Sequence, residues 1–242
     1  MMNCYDYPES VQYPDLGEDN RLSPAGALRM MQEGSARASA AQGFGPEDTV
    51  RLGLAWALVG WKLRLLRRPA WAEPLLVHTW PRAMDGHVSD RDFLLLDQAG
   101  ERVAAATSRW LLIDTATGHA AKITDEVRAI YQLDESRAVE GDAPSHLSRG
   151  PQDARQVCSY TVLHRDIDTL HHMNNLHYLE LAREALPAEA ADLPFENYEI
   201  LYKRQIKLGE TVDLCYAFEE GRHVVEFRNQ DGRRVHALLW FY

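Results

Sequence analysis

The chain has 242 residues, is 45% hydrophobic and carries six tryptophans, enough to bury a full core as one large domain or two of roughly 120 residues. A formal net charge of −10 argues against nucleic acid as the principal partner. Its three cysteines, Cys4, Cys158 and Cys215, are scattered without CxxC or Cys/His ligand spacing, which suits a reducing compartment better than a disulfide framework.

The N-terminal MMNCYDYPES has neither the basic nor the apolar region of a secretory signal. The longest apolar run, Leu52 to Trp61, is bounded by Arg51 and Lys62 and is too short to span a bilayer. A soluble, cytoplasmic protein is expected. Pro24 to about Ala41 reads as a helix poor in large residues, whose Ala and Gly permit close backbone approach. Trp61 to Leu65 alternates as a strand does, and Ala99-Gly100 marks a hairpin. From about Asp134 to Asp153 the chain is rich in Ser, Pro, Gly and charge, and reads as a linker (134–153) between an N-terminal domain (1–133) and a C-terminal domain (154–242). The apolar residues Leu176, Tyr178, Leu179, Leu181, Ala182, Ala185 and Leu186 then predict a helix buried on most sides, as when an antiparallel sheet curls around it. Val212 to Tyr216 alternates as a strand, and Asp231-Gly232 makes a second hairpin.

The order of elements is repeated. A shift of 151 residues sets 13–33 against the region from 164, placing Asp15 on Asp166, Leu22 on Met173 and Leu28 on Leu179. A different shift sets 61–80 against 198–217, with Glu73 on Glu210, and 97–110 resembles 229–242, with Gly100 on Gly232. Each half therefore runs turn, helix, then strands.

Residues 164–186, HRDIDTLHHMNNLHYLELAREAL, concentrate the chemistry. Two aspartates and adjacent histidines stand before a helix whose first amides lack intrahelical partners. That set can split an acyl bond. His172 can serve as general base, Asp168 can orient it or polarise water, and the amides at Met173, Asn174 and Asn175 are candidate oxyanion donors. The bland readings stay open: Asp168 as a turn or capping residue, Asn174 and Asn175 as ordinary helix-start residues, His172 as a structural histidine. The crowding of His164, His171, His172 and His177 makes no H-x-x-x-H pair, so metal catalysis is disfavoured.

The motif resembles that of the acyl-acyl carrier protein thioesterases of plants and bacteria, roughly D-x-D-x-N-x-H-V-N-N-x-x-Y. Asp166, Asp168, His172, Asn174, Asn175 and Tyr178 match it, with Met173 for the Val. Residues 77–118, with Trp80-Pro81, Arg91-Asp92-Phe93 and Trp110 to Asp114, are similar to the same family. The resemblance implies an α+β fold of two tandem hotdog domains, each an antiparallel sheet wrapped around a central helix, forming an internal pseudo-dimer. It implies hydrolysis of acyl-acyl carrier protein to free fatty acid, without cofactor or metal, on a partner whose acyl group hangs from 4′-phosphopantetheine. The chain is then a monomer with its internal pair, or a homodimer.

Two positions depart from the family pattern. Leu170 stands where the family carries Asn, and Gln205, in Tyr202-Lys203-Arg204-Gln205, where a strand Glu often sits. Gln205 cannot take a proton but its amide can hold water or the substrate carbonyl; Leu170 can line an acyl pocket. Two other functions therefore remain: a thioesterase acting on acyl-coenzyme A, and a non-catalytic acyl-thioester-binding hotdog protein. Lys62, Arg64, Arg67 and Arg68, and separately Lys203, Arg204 and Lys207, are candidate basic patches for an acidic carrier.

Overall fold

The computed structural model describes residues 4–191 and 193–242. The chain forms two compact units, the first comprising residues up to Val59 with Leu63–Ala143, the second Gly60–Lys62 with Pro144–Tyr242. Among the described residues no helix is long and apolar enough to cross a membrane.

The first unit begins with β1 (Tyr5–Ser10), a 3₁₀ turn (Tyr13–Asp15) and α1 (Pro24–Ala40). Short helix α2 (Thr49–Leu52) leads into β2 (Leu54–Leu65), β3 (Pro74–Asp85), β4 (Val88–Leu96) and β5 (Arg102–Asp114), followed by α3 (Asp125–Ile130). Its strands lie in the order β1-β3-β4-β5-β2. Helix α1 starts where the chain asks it to: Ser23 caps it by accepting from Gly26 N–H at 2.9 Å, and Pro24 occupies the first turn. Ala27, Leu28, Met30 and Met31 are all 1% exposed or less, and α1 packs on β1, β3 and β4. The small residues permit that depth. A Cβ at Gly34 would lie 2.6 Å from Val77 Cγ1, and one at Gly26 2.5 Å from the Asp15 carbonyl.

The other face of this sheet is covered as well. Within Asp134–Ala143, the Trp80 indole donates to Ser136 O at 3.0 Å, Ala138 N–H donates to Asp92 at 2.8 Å, and Asp142 accepts from Arg82 at 2.8 Å. These residues form a strap over the polar face of β3 and β4. Pro81 cannot donate to the ladder, and the β3–β4 register shifts between Pro81 and Ala83.

The second unit contains β6 (Arg155–Thr161), a 3₁₀ turn (His164–Asp166), α4 (Asn175–Arg183), α5 (Ala188–Ala191), β7 (Asn197–Tyr202), β8 (Thr211–Glu219), β9 (Arg222–Asn229) and β10 (Val235–Phe241). Its strands run β7-β10-β9-β8-β6, all adjoining pairs antiparallel. Each unit is thus a hotdog, a curled antiparallel sheet on a helix.

The internal repeat is present down to single hydrogen bonds. Leu16 bridges Leu22 as Ile167 bridges Met173. Ser23 N–H donates to Asp15 O and Asn174 N–H to Asp166 O, both at 2.8 Å. Leu22 N–H reaches Pro69 O and Met173 N–H reaches Ile206 O, again both at 2.8 Å. Gly100 and Gly232 turn their hairpins with φ of 80° and 70°.

Helix α1 packs as closely as its small residues lead one to expect, but α4 differs from expectation. Helix α4 is not buried on most sides: Tyr178, Leu179 and Ala182 are buried, while Leu176 and Leu181 are only partly so and Glu180 and Arg183 are exposed. It has nine residues against seventeen in α1. The longer, Ala- and Gly-containing helix is the one that sinks into its sheet, because small side chains let the backbone approach.

Candidate active site

The site is built on the turn between the His164–Asp166 3₁₀ segment and α4. Asp166, 4% exposed, is its anchor: one carboxylate oxygen accepts from Leu163 N–H at 2.8 Å and from the Tyr160 hydroxyl at 2.7 Å. The Ile167–Met173 bridge then pinches off residues 168–172. Asp168 N–H donates to His172 O at 3.0 Å and His171 N–H to Asp168 O at 3.1 Å. His171 adopts φ 62°, matching Asn20 at 59° in the first unit, a conformation that costs a non-glycine residue about 1 kcal/mol.

This closed turn brings Asp168 and His172 to the same place. Asp168 Oδ1 accepts from Leu170 N–H at 2.8 Å, the side-chain turn typical of aspartate. Its Oδ2 lies 3.6 Å from His172 Nδ1, ion-pair range but beyond a good hydrogen bond. His172 is 9% exposed, and its Nδ1 is 3.2 Å from Met173 O. With a carbonyl and a carboxylate both facing Nδ1, the proton belongs on that nitrogen and Nε2 presents the lone pair. The capping and the catalytic readings of Asp168 are therefore compatible, one per oxygen.

Fewer amides are open at the helix start than the sequence implies. Asn174 is the N-cap, its Oδ1 accepting from Leu176 N–H at 3.0 Å, and its carbonyl takes His177 N–H. Met173 N–H is bonded to Ile206 O and Asn174 N–H to Asp166 O. Two of the three expected oxyanion donors are thus engaged in holding the turn. Among the described residues Asn175 N–H, the first amide of α4, is the one of the three with no acceptor found. Its carbonyl is fixed by the Tyr202 hydroxyl at 2.9 Å.

Gln205 lies three residues beyond the end of β7, not on a strand, and is exposed. Its carbonyl stands 3.2 Å from His236 Nδ1. The Met173–Ile206 bond nonetheless carries the Gln205 segment alongside His172. Leu170, at the tip of the turn, is 56% exposed. Tyr178 stacks edge-on with Tyr202 at 5.2 Å and tilts against Phe227 at 5.2 Å; burial pushes its hydroxyl well above the usual phenol range, while Ile206 N–H pulls the other way. His236, 9% exposed, is not legible from sequence as part of this region. An isolated histidine near the chain end gives no spacing signal.

Other charged groups have structural partners. His177 pairs with Glu180 at 3.1 Å, a bond that raises its pKa. Arg67 binds Glu73 and Asp97, and Arg68 binds Asp19 and Leu22 O, so both already have partners within the unit. Lys203 Nζ donates to Ser148 O at 2.9 Å, while Arg204 and Lys207 are exposed beside Gln205. Among the described residues, Cys4, Asp6 and His78 form the one trio with ligand atoms close enough to share a metal; it lies on β1 and β3, not on the motif.

Residues 4–131 match the acyl-ACP thioesterase N-terminal domain and residues 150–235 the acyl-ACP thioesterase C-terminal domain. The chain is 27% identical over 195 residues to oleoyl-acyl carrier protein thioesterase 2, chloroplastic, of Arabidopsis thaliana, covering 76% of this chain and 53% of that protein. It is 25% identical over 229 residues to acyl-[acyl-carrier-protein] hydrolase FATB3, chloroplastic, of Cuphea viscosissima, covering 88% and 54%. It therefore spans about half the length of the curated relatives it matches. In fold it is similar to an acyl-ACP thioesterase from Bacteroides thetaiotaomicron (TM-score 0.85, 21% identity, 99% of this chain and 97% of the other). The 12:0-ACP thioesterase from Umbellularia californica gives the same TM-score of 0.85 at 20% identity, over 100% and 97% of the two chains. With both halves of the repeat matched separately and in order, the chain belongs to the acyl-ACP thioesterase family.

Proposed function

We propose that the chain hydrolyses the thioester of acyl-acyl carrier protein, releasing a free fatty acid and the carrier thiol. The observation that carries this reading is the placement of the Asp168–His172 pair one turn before the open amide of Asn175. His172 Nε2 takes a proton from water as the water oxygen bonds to the thioester carbonyl carbon. The carbonyl oxygen becomes an oxyanion, held by Asn175 N–H with the positive end of the α4 dipole. Collapse breaks the carbon–sulfur bond, and the proton on His172 passes to the departing thiolate. Asp168 supports the transient imidazolium, and Gln205 positions the water or the carbonyl. Leu170, Met173, Asn174 and Asn175 shape the substrate side, Met173 and Asn174 by holding the turn. No cofactor or metal is needed.

The carrier is acidic, and the exposed Arg204 and Lys207 beside the site are the proposed landing charges. Cys4, Cys158 and Cys215 form no disulfide among the described residues, which supports action in a reducing compartment, the cytoplasm. Leu170 and Gln205 favour a second reading, a protein that binds acyl thioesters without cleaving them.

Thiol release, followed with acyl-carrier and acyl-coenzyme A substrates of several chain lengths, separates these readings. The expected result is turnover that favours the carrier substrate and falls by about 10²-fold or more in His172→Ala, the usual weight of a general base. Binding without thiol release would establish the non-catalytic reading instead.

A further inference from the structure

The strap side of the first unit brings together three metal-ligating side chains that are far apart in sequence. Asp6 on β1 stands directly opposite His78 on β3, and Cys4, two residues before Asp6, falls on the same side of the chain. The His78 ring lies 5.2 Å from that of Trp80, and Cys4 packs against the cluster of Trp80, Ala105 and Ala138. Val77, the residue before His78, is turned the other way and meets Gly34 of α1. The trio therefore lies on the face of the sheet opposite α1, at the edge that β1 forms.

Asp6 Oδ1 is 2.5 Å from His78 Nδ1, and ligand atoms of Cys4, Asp6 and His78 all lie within 4.8 Å of one another. Asp6 with His78 alone would be an ordinary surface ion pair. A thiol as third member changes the chemistry, because sulfur, imidazole and carboxylate together suit zinc, whereas magnesium and calcium take oxygen ligands. Four-coordinate zinc, with bonds of about 2.0–2.3 Å, keeps its ligand atoms roughly 3.3–3.7 Å apart. His78 and Asp6 would part by about 1 Å and Cys4 would close in by a similar amount. Cys4 has that freedom, since the β1–β3 ladder begins at Tyr5. Cys4 and His78 are half-buried and Asp6 is exposed, so an ion has a way in. Burial, then the charges of Asp6 and, less strongly, of Asp134 raise the Cys4 thiol; Asp134, at the start of the strap, thus adds a second carboxylate to the surroundings. The shifts that align the two halves put Arg155, Val157 and Cys215 at the corresponding places of the second unit, so the fold itself does not demand ligands there.

We propose that Cys4, Asp6 and His78 bind a zinc ion, with water in the fourth position, as a clasp that fastens β1 to β3. β1 is an edge strand whose ladder partner is β3, and a strand held from one side is where a metal tie has most to hold. The thiol gives its proton to the buffer as the sulfur ligates. The inference does not rest on the hydrolase reading, because binding is measured with no thioester present.

The test titrates the full chain, metal-free and kept reduced, with zinc sulfate against a chromophoric chelator, and with cobalt chloride in parallel. The expected result is one-to-one zinc binding with a Kd of about 1 µM or tighter, undisturbed by excess magnesium or calcium, and weaker by about tenfold or more in Cys4→Ser and in His78→Gln. Cobalt should give a near-ultraviolet thiolate-to-metal absorption that is lost in Cys4→Ser and kept in His164→Gln, which removes a histidine of the motif instead. Zinc should slow amide exchange across Tyr5–Ser10 in the wild type and not in Cys4→Ser. Thermal melts check that the variants fold, and if one of Cys4→Ser and His78→Gln does not, the other decides. The proposal is overturned if zinc does not bind saturably, if magnesium binds as well as zinc, if cobalt shows no thiolate band, if a folded Cys4→Ser or His78→Gln binds zinc like the wild type (a histidine site elsewhere), or if zinc leaves exchange in β1 unchanged.

Discussion

Replacing Asp168 by asparagine separates the two roles of that side chain. The amide oxygen of the Asp168→Asn variant still accepts from Leu170 N–H, a bond of 2.8 Å in the wild type, so the turn should persist. What disappears is the negative charge 3.6 Å from His172 Nδ1. At that distance a unit-charge pair is worth about 1 kcal/mol in water and about 5 kcal/mol at an effective dielectric of 20. The Asp168 side chain is 21% exposed and that of His172 11%, so a middle value of about 1.5–3 kcal/mol applies to the imidazolium formed during reaction. Turnover should fall roughly ten- to hundredfold, at about 1.36 kcal/mol per decade. Thiol release from acyl-carrier substrate measures this, with a denaturant melt to verify that stability is held. Asp168→Ala, which also removes the turn acceptor, should lose a further ~1 kcal/mol of stability. If Asp168→Asn turns over within about twofold of wild type while His172→Ala is inert, the carboxylate serves the turn alone and the proposed support of the imidazolium is wrong.

Arg82 binds Asp92, Asp90 and Asp142 at 3.1, 3.0 and 2.8 Å from a 7% exposed position; Arg82→Met should cost about 3–5 kcal/mol in urea unfolding, the penalty of stranding buried carboxylates, and a loss under about 1 kcal/mol would show that Arg109 and Ala138 suffice. Asn174→Ala removes the α4 cap and should lose about 1 kcal/mol, whereas Asn174→Asp should hold near wild type, as read by thermal unfolding. The Arg137 bond, joined by the charges of Arg82, Arg137 and Arg109 and only partly opposed by burial, holds the Asp142 carboxyl below its ordinary range. A depressed carboxylate contributes stability above its unfolded pKa and loses it as pH falls through the folded value. The Asp142 contribution to holding the strap should therefore be lost only below about pH 4, seen as earlier proteolysis within 134–143, and Asp142→Asn should remove that contribution to the pH dependence.

The repeat is legible in the sequence because each half needs the same local chemistry: an aspartate to receive the turn, a helix start after it, and a glycine to close a hairpin. Asp15 and Asp166, Glu73 and Glu210, and Gly100 and Gly232 play the same parts in both halves; Ala70 N–H reaches Glu73 as Lys207 N–H reaches Glu210. The pairing of Asp168 with His172 is legible for the same reason, as a five-residue turn cannot place its ends far apart.

Local pattern alone fixes the turn, the helix start, the alternation of the strands and the closeness of Asp168 to His172, because each depends on neighbours a few positions away. Partners distant in sequence decide the rest. Ile206 and Asp166 consume the amides of Met173 and Asn174, the loop after β7 carries Gln205 off the strand, and the β1–β3 register sets Asp6 against His78. Which backbone donors stay open, and which ligand groups meet, are questions of what packs opposite. Only tertiary structure supplies that answer.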